Sequence, residues 1–106
     1  MSDSSDLAQR VLAIVAVIPP GNVSSYGEVA KLAGCGARNV GSVMNRHGSD
    51  AAWWRVVRAN GASHDPVRAG EYWDREGIEH SNGRVAMHNH GLDARDLEVL
   101  LQQTIQ

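Results

Sequence analysis

Residues 25–47 read Ser25-Tyr26-Gly27-Glu28-Val29-Ala30-Lys31-Leu32-Ala33-Gly34-Cys35-Gly36-Ala37-Arg38-Asn39-Val40-Gly41-Ser42-Val43-Met44-Asn45-Arg46-His47, and they contain two short helices back to back. Ser25 and Glu28 stand at capping-box spacing: the hydroxyl satisfies the amide three residues on while the carboxylate reaches back. The helix they open is short, because Gly34 and Gly36 break it just after Ala33. A second helix is predicted from Ala37 to His47. Ala37, Val40, Gly41 and Met44 form its inner stripe, and Arg38, Asn39, Ser42, Asn45 and Arg46 its outer face. Two short helices joined by a Gly-Cys-Gly turn make a helix-turn-helix, whose second helix commonly enters a DNA groove. That outer face holds no acid. A solvated helix face ordinarily mixes signs, so an anionic partner is the better reading.

Upstream, Leu7, Val11, Ile14, Val15 and Ile18 fall at helical spacing, and Pro19-Pro20-Gly21-Asn22 ends that helix sharply. The β-branched run Val11–Ile18 also permits a strand, but the period continues back to Leu7 and favours a helix from Asp6 to Ile18. Downstream, Arg55-Val56-Val57-Arg58 reads as a short strand ending at Asn60-Gly61. Asp65-Pro66 opens a helix that runs to Glu76 and stops at Gly77. Ile78-Glu79-His80, a turn at Asn82-Gly83 and Arg84-Val85-Ala86-Met87 predict a small hairpin. A last helix, capped by Asp93, spans Ala94 to Gln103. No repeat or linker divides the chain, so the expectation is a single domain over residues 1–106, mainly α with a small β component.

Of the 106 residues 42% are apolar and 21% charged, ordinary globular usage that argues against wholesale disorder. There is no Phe, so three Trp and two Tyr supply the aromatic mass. A lone Cys excludes a disulfide framework and fits a reducing cytoplasm. The longest apolar run is far short of a membrane span, and no basic segment precedes it, so neither a transmembrane nor a signal segment is expected. The net charge of −2 hides a strong asymmetry. Residues 31–58 set Lys31, Arg38, Arg46, Arg55 and Arg58 against Asp50 alone, a net of +4, with acidic segments on either side. A basic middle third suits an anion-facing surface on an otherwise acidic protein.

Sites of bond-making chemistry are scarce. His88-Asn89-His90 and nearby His80 lack the converging Cys or carboxylate that a zinc site needs, so they read as solvated loop histidines, with no metal and no cofactor expected. No Ser sits in a nucleophile elbow. Cys35 precedes a helix N-terminus near Arg38, yet no His lies close in sequence to serve as its base. The pair Trp53-Trp54 stands out. In a strand the two indoles would point to opposite faces, one into the core and one available to stack on a base.

From Ile18-Pro19-Pro20-Gly21-Asn22-Val23-Ser24-Ser25-Tyr26-Gly27-Glu28-Val29-Ala30, through Leu32-Ala33-Gly34, Ala37-Arg38-Asn39-Val40-Gly41 and Met44, the chain resembles the DNA-binding domain of O6-alkylguanine-DNA alkyltransferases. The likeness continues through Trp53-Trp54-Arg55-Val56-Val57, Gly61 and Ala69-Gly70-Glu71 to Glu76-Gly77-Ile78, and covers about residues 7–87. It implies a winged-helix-like domain around the central helix-turn-helix. Where the enzymes carry Pro-Cys-His-Arg-Val, this chain has Ala52-Trp53-Trp54-Arg55-Val56, so it lacks both nucleophile and activating base. Trp in place of the Cys is the mark of the alkyltransferase-like proteins. The resemblance therefore implies a non-enzymatic protein that binds duplex DNA at O6-alkylguanine, flips the nucleotide, and flags the lesion for nucleotide excision repair proteins.

Carried over by position, Tyr26 resembles the tyrosine that presses on the lesion-side phosphate, and Arg38 the arginine that enters the stack in place of the lost base. Asn39, Ser42 and Arg46 join them as DNA contacts in the minor groove, where little sequence is read. Trp53, with Trp54 and Arg55, is expected at the lesion pocket. Damage itself favours capture, since a base whose pairing is already weakened costs least to flip. A helix-turn-helix transcriptional regulator is the competing reading, but such regulators normally dimerise and no dimer helix is visible. An enzyme using Cys35 as alkyl acceptor is a third. A monomer in the cytoplasm, associated with the nucleoid in a bacterium, is the expectation.

Overall fold

The computed structural model of the chain describes the backbone of residues 3–105 and the side chains of residues 6–104. Helix α1 (Asp3–Ala16) leads to strand β1 (Val23–Ser25), which runs straight into α2 (Tyr26–Ala33) and α3 (Ala37–His47). A 3₁₀ turn at Gly48–Asp50 and another at Trp53–Arg55 precede β2 (Val56–Val57) and α4 (Pro66–Glu76). The hairpin β3 (His80–Ser81) and β4 (Arg84–Val85), a single turn α5 (Met87–His90), β5 (Gly91–Leu92) and α6 (Ala94–Ile105) complete it. The fold is mainly helical with a small β component, as the sequence predicts.

Punctuation residues placed the helix ends. Gly34 caps α2 in the left-handed region, with φ of 79°, and its amide bonds back to Ala30. Pro66 sits in the first turn of α4 and Gly77 closes it. At α1 the ordinary helix ends at Ala16, earlier than Ile18, because Val17 and Ile18 switch to the tighter bonding of Val17 N–H to Ile14 and Ile18 N–H to Val15. Ile18 is still buried. Ser25 accepts the Glu28 amide at 3.1 Å, but Glu28 does not reach back to Ser25. Ser25 ends β1 opposite Val57, and the Glu28 carboxylate instead takes Lys31 Nζ at 2.8 Å and the Ala94 amide at 2.9 Å. Glu28 thus ties the helix-turn-helix to α6.

Two apolar clusters make the core. The first gathers Val11, Ile14 and Val15 from α1 and Ile18 just beyond it with Val29, Val40 and Leu97. The second holds Val23, Val57, Ala69, Trp73, Ile78 and Val85. On α3 the buried stripe is Val40, Val43 and Met44; Ala37 is exposed and Gly41 only half-buried. Bulk decides that rotation, since burying Val43 removes more apolar surface than burying Ala37.

The sheet is where local pattern fails. It is parallel, ordered β2-β1-β5, with Ser24 opposite both Val56 and Leu92. Trp53, Trp54 and Arg55 do not continue β2; they form a 3₁₀ turn in which the Arg55 amide bonds to Ala52. The expected hairpin is present, β3 pairing antiparallel with β4. Gly61, with φ of 88°, lies so close to Val85 that a Cβ would sit 2.5 Å from its carbonyl oxygen, so no other residue fits there. The histidine segment 88–90 is helical rather than a loop, and His90 is not solvated. Its Nε2 accepts from the Glu79 amide at 3.0 Å, and its Nδ1 lies 2.9 Å from the Gly21 carbonyl, which requires the proton on Nδ1. Asp93 caps α6 reciprocally with Asp96, and the helix runs past Gln103 to Ile105. No helix of the described residues is long and apolar enough to cross a membrane.

Candidate nucleic-acid interface

The outer face of α3 is as the sequence predicts: Arg38, Asn39, Ser42, Asn45 and Arg46 are all exposed. Asn39 has a structural task as well, its carboxamide oxygen accepting the Gly36 amide at 3.0 Å at the start of the helix. The five cations of the middle third divide into two kinds. Lys31 pairs with Glu28 at 2.8 Å, and Arg55 is folded against Glu76 at 2.6 Å. Arg38, Arg46 and Arg58 are exposed and, among the described residues, face no acid in an ion pair. Burial pushes the Tyr26 phenol above its ordinary pKa, and the nearby Arg58 charge only partly opposes this. The hydroxyl is therefore a neutral donor at physiological pH, suited to a phosphate oxygen.

Beside this face opens a pocket of about 410 Å³, lined by Tyr26 of α2, by Gly41, Met44 and Asn45 of α3, by the Gly48-Ser49 turn, and by Trp53, His64 and Arg68. Its size falls within the roughly 300–1,000 Å³ of ordinary ligand sites. No acid lines it. Trp53 packs against both core clusters, so it stands at the seam between them. The Arg68 guanidinium lies 5.2 Å over its indole, and the His64 ring 5.3 Å from it. Tyr26 and Trp53 thus meet at one cavity.

Trp54 and Arg55 do not line it, which corrects the expected pocket. Successive side chains of a 3₁₀ turn diverge by about 120°, so Trp54 and Arg55 turn away behind Trp53. Trp54 stacks on Tyr72 at 3.8 Å with the rings 10° from parallel, and its Nε1 donates to Glu76 at 2.8 Å. Arg55 donates to the same carboxylate and to the Ile18 carbonyl at 3.0 Å, and the Gly21 amide donates to Glu76 at 3.0 Å. Burial pushes Glu76 up, but the bonds from Arg55, Gly21 and Trp54 outweigh it and hold the carboxyl below its ordinary range. Cys35 is half-buried against the first cluster, a small residue in the turn.

Sequence reasoning missed His64 and Arg68. Both flank Asp65-Pro66, where the local pattern announces only a helix start. The available signal was tertiary: Val56 and Val57 must join the sheet, and the start of α4 then returns beside Trp53. His80 bonds to Asp74 at 2.6 Å and lies against Trp73. Among the described residues no group of His, Cys, Asp and Glu converges for a metal.

With Arg38, Arg46, Arg58, Tyr26 and helix amides as donors, four to six phosphate contacts are expected. Log affinity for duplex DNA should then fall with log salt at a slope of about −4 to −5. A slope near zero in a titration series would exclude phosphate-led binding at this face.

Known proteins point the same way. The family model described as the 6-O-methylguanine DNA methyltransferase DNA-binding domain matches residues 6–87. The DNA base-flipping protein of Escherichia coli (strain K12) is 49% identical over 65 residues, which are 58% of this chain and 50% of that protein. The chain therefore spans about half the length of that relative. A DNA base-flipping protein of Vibrio parahaemolyticus is 37% identical over 87 residues, 74% of this chain and 87% of that one. The crystal structure of S. pombe Atl1 in complex with damaged DNA containing O6-carboxymethylguanine superposes with a TM-score of 0.71 at 27% identity, covering 84% of this chain and 96% of Atl1. A second structure, of S. pombe ATL in complex with DNA, gives 0.63 at 28% identity, covering 76% of this chain and 87% of that one. The chain belongs to the 6-O-methylguanine DNA methyltransferase DNA-binding-domain family, as an alkyltransferase-like member.

Proposed function

We propose that this chain is a non-enzymatic lesion-recognition protein that binds O6-alkylguanine in duplex DNA and flags it for nucleotide excision repair. The observation that carries the reading is Trp53 at the wall of a pocket shared with Tyr26 and with the edge of the helix that bears Arg38 and Arg46. In this reading α3 lies in the minor groove, Tyr26 presses on a phosphate, Arg38 fills the vacated stack, and the flipped base enters beside Trp53. Ser42 and Arg46 hold the backbone, and Asn39 adds a contact through the amide nitrogen its cap leaves free. The relatives support base flipping by their names, and Atl1 was captured on alkylated DNA. Because Tyr26, Arg38 and Trp53 all come from one chain, one copy suffices.

No alkyl transfer is expected. Trp53 stands where the enzymes resemble one another in having a thiolate, and Trp54 where they have its base. An indole N–H only donates, so Trp54 could not take a proton from a thiol. Intact-protein mass after incubation with O6-methylguanine DNA should show no added methyl group; a gain on Cys35 would make the protein an enzyme.

Arg38→Ala should weaken binding to an O6-methylguanine duplex by about 1–2 kcal/mol, since a guanidinium stacked among bases is held by its π contacts and by phosphate. Arg38 is exposed, so the fold should be unchanged. Equal affinity of parent and variant by fluorescence anisotropy would remove it from the stack.

A further inference from the structure

The indole that faces the pocket has no polar anchor. Trp54 donates to Glu76 at 2.8 Å and Trp73 donates to the Trp54 carbonyl at 2.8 Å, whereas Trp53 makes no side-chain hydrogen bond among the described residues. Its angle is set by packing alone, against the two core clusters, the Arg68 guanidinium and a set of ring contacts. On the side away from the cavity the ring contacts are Trp54, at 5.9 Å and 88°, and Tyr72, at 5.9 Å and 78°. Edge-to-face pairs of this kind have a preferred geometry, so moving either ring moves the third.

The two rings behind Trp53 are themselves fixed. They stack at 3.8 Å, the Arg55 guanidinium lies 5.5 Å over Trp54, and Arg75 lies 5.3 Å over Tyr72. Residue 54 is held at its ring by Glu76 and at its carbonyl by the fully buried Trp73. Glu76 also receives the Gly21 amide and Arg55. The turn is therefore pinned to α4 by hydrogen bonds at residue 54, whereas the side chain of residue 53 is held by packing alone.

We infer that Trp54, backed by Tyr72 and Glu76, is a positioning residue that sets the angle of Trp53 in the pocket and so controls lesion preference without touching DNA. The inference rests on Trp53 being the pocket wall. Where the enzymes resembling this chain place a general base, a donor-only indole bonded to a carboxylate makes a rigid brace instead. Trp54 acts through Trp53, and its effect must vanish when Trp53 is absent.

A double-mutant cycle on the full chain tests this. The readout is the ratio of dissociation constants for a guanine duplex and the matched O6-methylguanine duplex, with melting followed by circular dichroism. Trp54→Leu should lower the ratio about tenfold, leave undamaged-duplex affinity within about twofold, and produce almost no further loss when added to Trp53→Ala. Tyr72→Leu should act in the same direction. Trp54→Phe, which keeps the stack but drops the bond to Glu76, should fall between parent and Trp54→Leu, and these two variants carry the test if Trp54→Leu does not fold. An equal loss with and without Trp53 would mean that Trp54 contacts DNA itself, and would overturn the inference. So would an unchanged ratio in folded Trp54→Phe and Tyr72→Leu. Trp53→Ala measured alone separates the two levels: if it keeps the full preference, the pocket reading fails and the brace falls with it.

Discussion

Glu76→Ala is expected to destabilise the protein by about 3 kcal/mol, the lower end of the range for breaking a buried ion pair. Both side chains are nearly out of water, Arg55 at 15% exposure and Glu76 at 12%. Removing the carboxylate leaves the largely buried guanidinium with the Ile18 carbonyl alone and also frees the Gly21 amide and the Trp54 indole N–H, each a donor with no other partner in the network. For a chain of this length the melting temperature should drop by roughly 12–24 °C, at about 4–8 °C per kcal/mol. The same site gives an acid limb. Because the folded carboxyl is held below its ordinary value of 4.5, its contribution is complete at neutral pH and is lost as pH falls from about there through the lower folded value. Glu76→Gln should flatten that limb. A melting temperature within a few degrees of the parent, with the acid limb unchanged, would show that the node is not what joins the Trp53 turn to α4.

Trp53→Ala should lose about 1–3 kcal/mol of affinity for an alkylated duplex, the scale of one base stacked on an aromatic ring. Affinity for undamaged duplex should change little, because the phosphate contacts proposed for Tyr26, Arg38, Arg46 and Arg58 do not involve Trp53. Some stability is lost as well, since Trp53 packs on both core clusters, so melting must be followed beside binding. A folded variant with undiminished lesion preference would take Trp53 out of the pocket. Trp53→Cys should show no methyl transfer, because the neighbouring Trp54 indole only donates, is held against Glu76, and cannot act as the thiol's base.

How much of this the chain announces depends on how local the determining force is. α3 and α4 begin and end where Gly36, Asp65-Pro66 and Gly77 say they must, because caps and breakers act within a turn. The sheet is the opposite case. β1, β2 and β5 contribute two or three residues each, from positions 23–25, 56–57 and 91–92, and only the packing of helices brings them into register. Within the site, Arg38 and Arg46 were legible as an acid-free helix face, and Tyr26 and Trp53 through the resemblance. Trp54 was not, because strand and 3₁₀ turn send neighbouring side chains in different directions. Arg55 counted toward a basic surface until Glu76, distant in sequence, neutralised it. His64 and Arg68 reach the pocket only because α4 starts beside Trp53.

The measurement closest to the central claim is binding to two duplexes identical except at one guanine, unmodified in one and O6-methylated in the other. The pocket, the tyrosine and the unpaired arginines together require tighter binding to the methylated duplex, by at least about tenfold, since flipping a base with weakened pairing saves part of a cost of a few kcal/mol. The preference should hold when the flanking sequence is changed, because minor-groove contacts carry little code. Equal affinity for the two duplexes, or a preference that follows the flanking sequence and ignores the methyl group, would contradict it and leave a sequence-reading helix-turn-helix protein in its place.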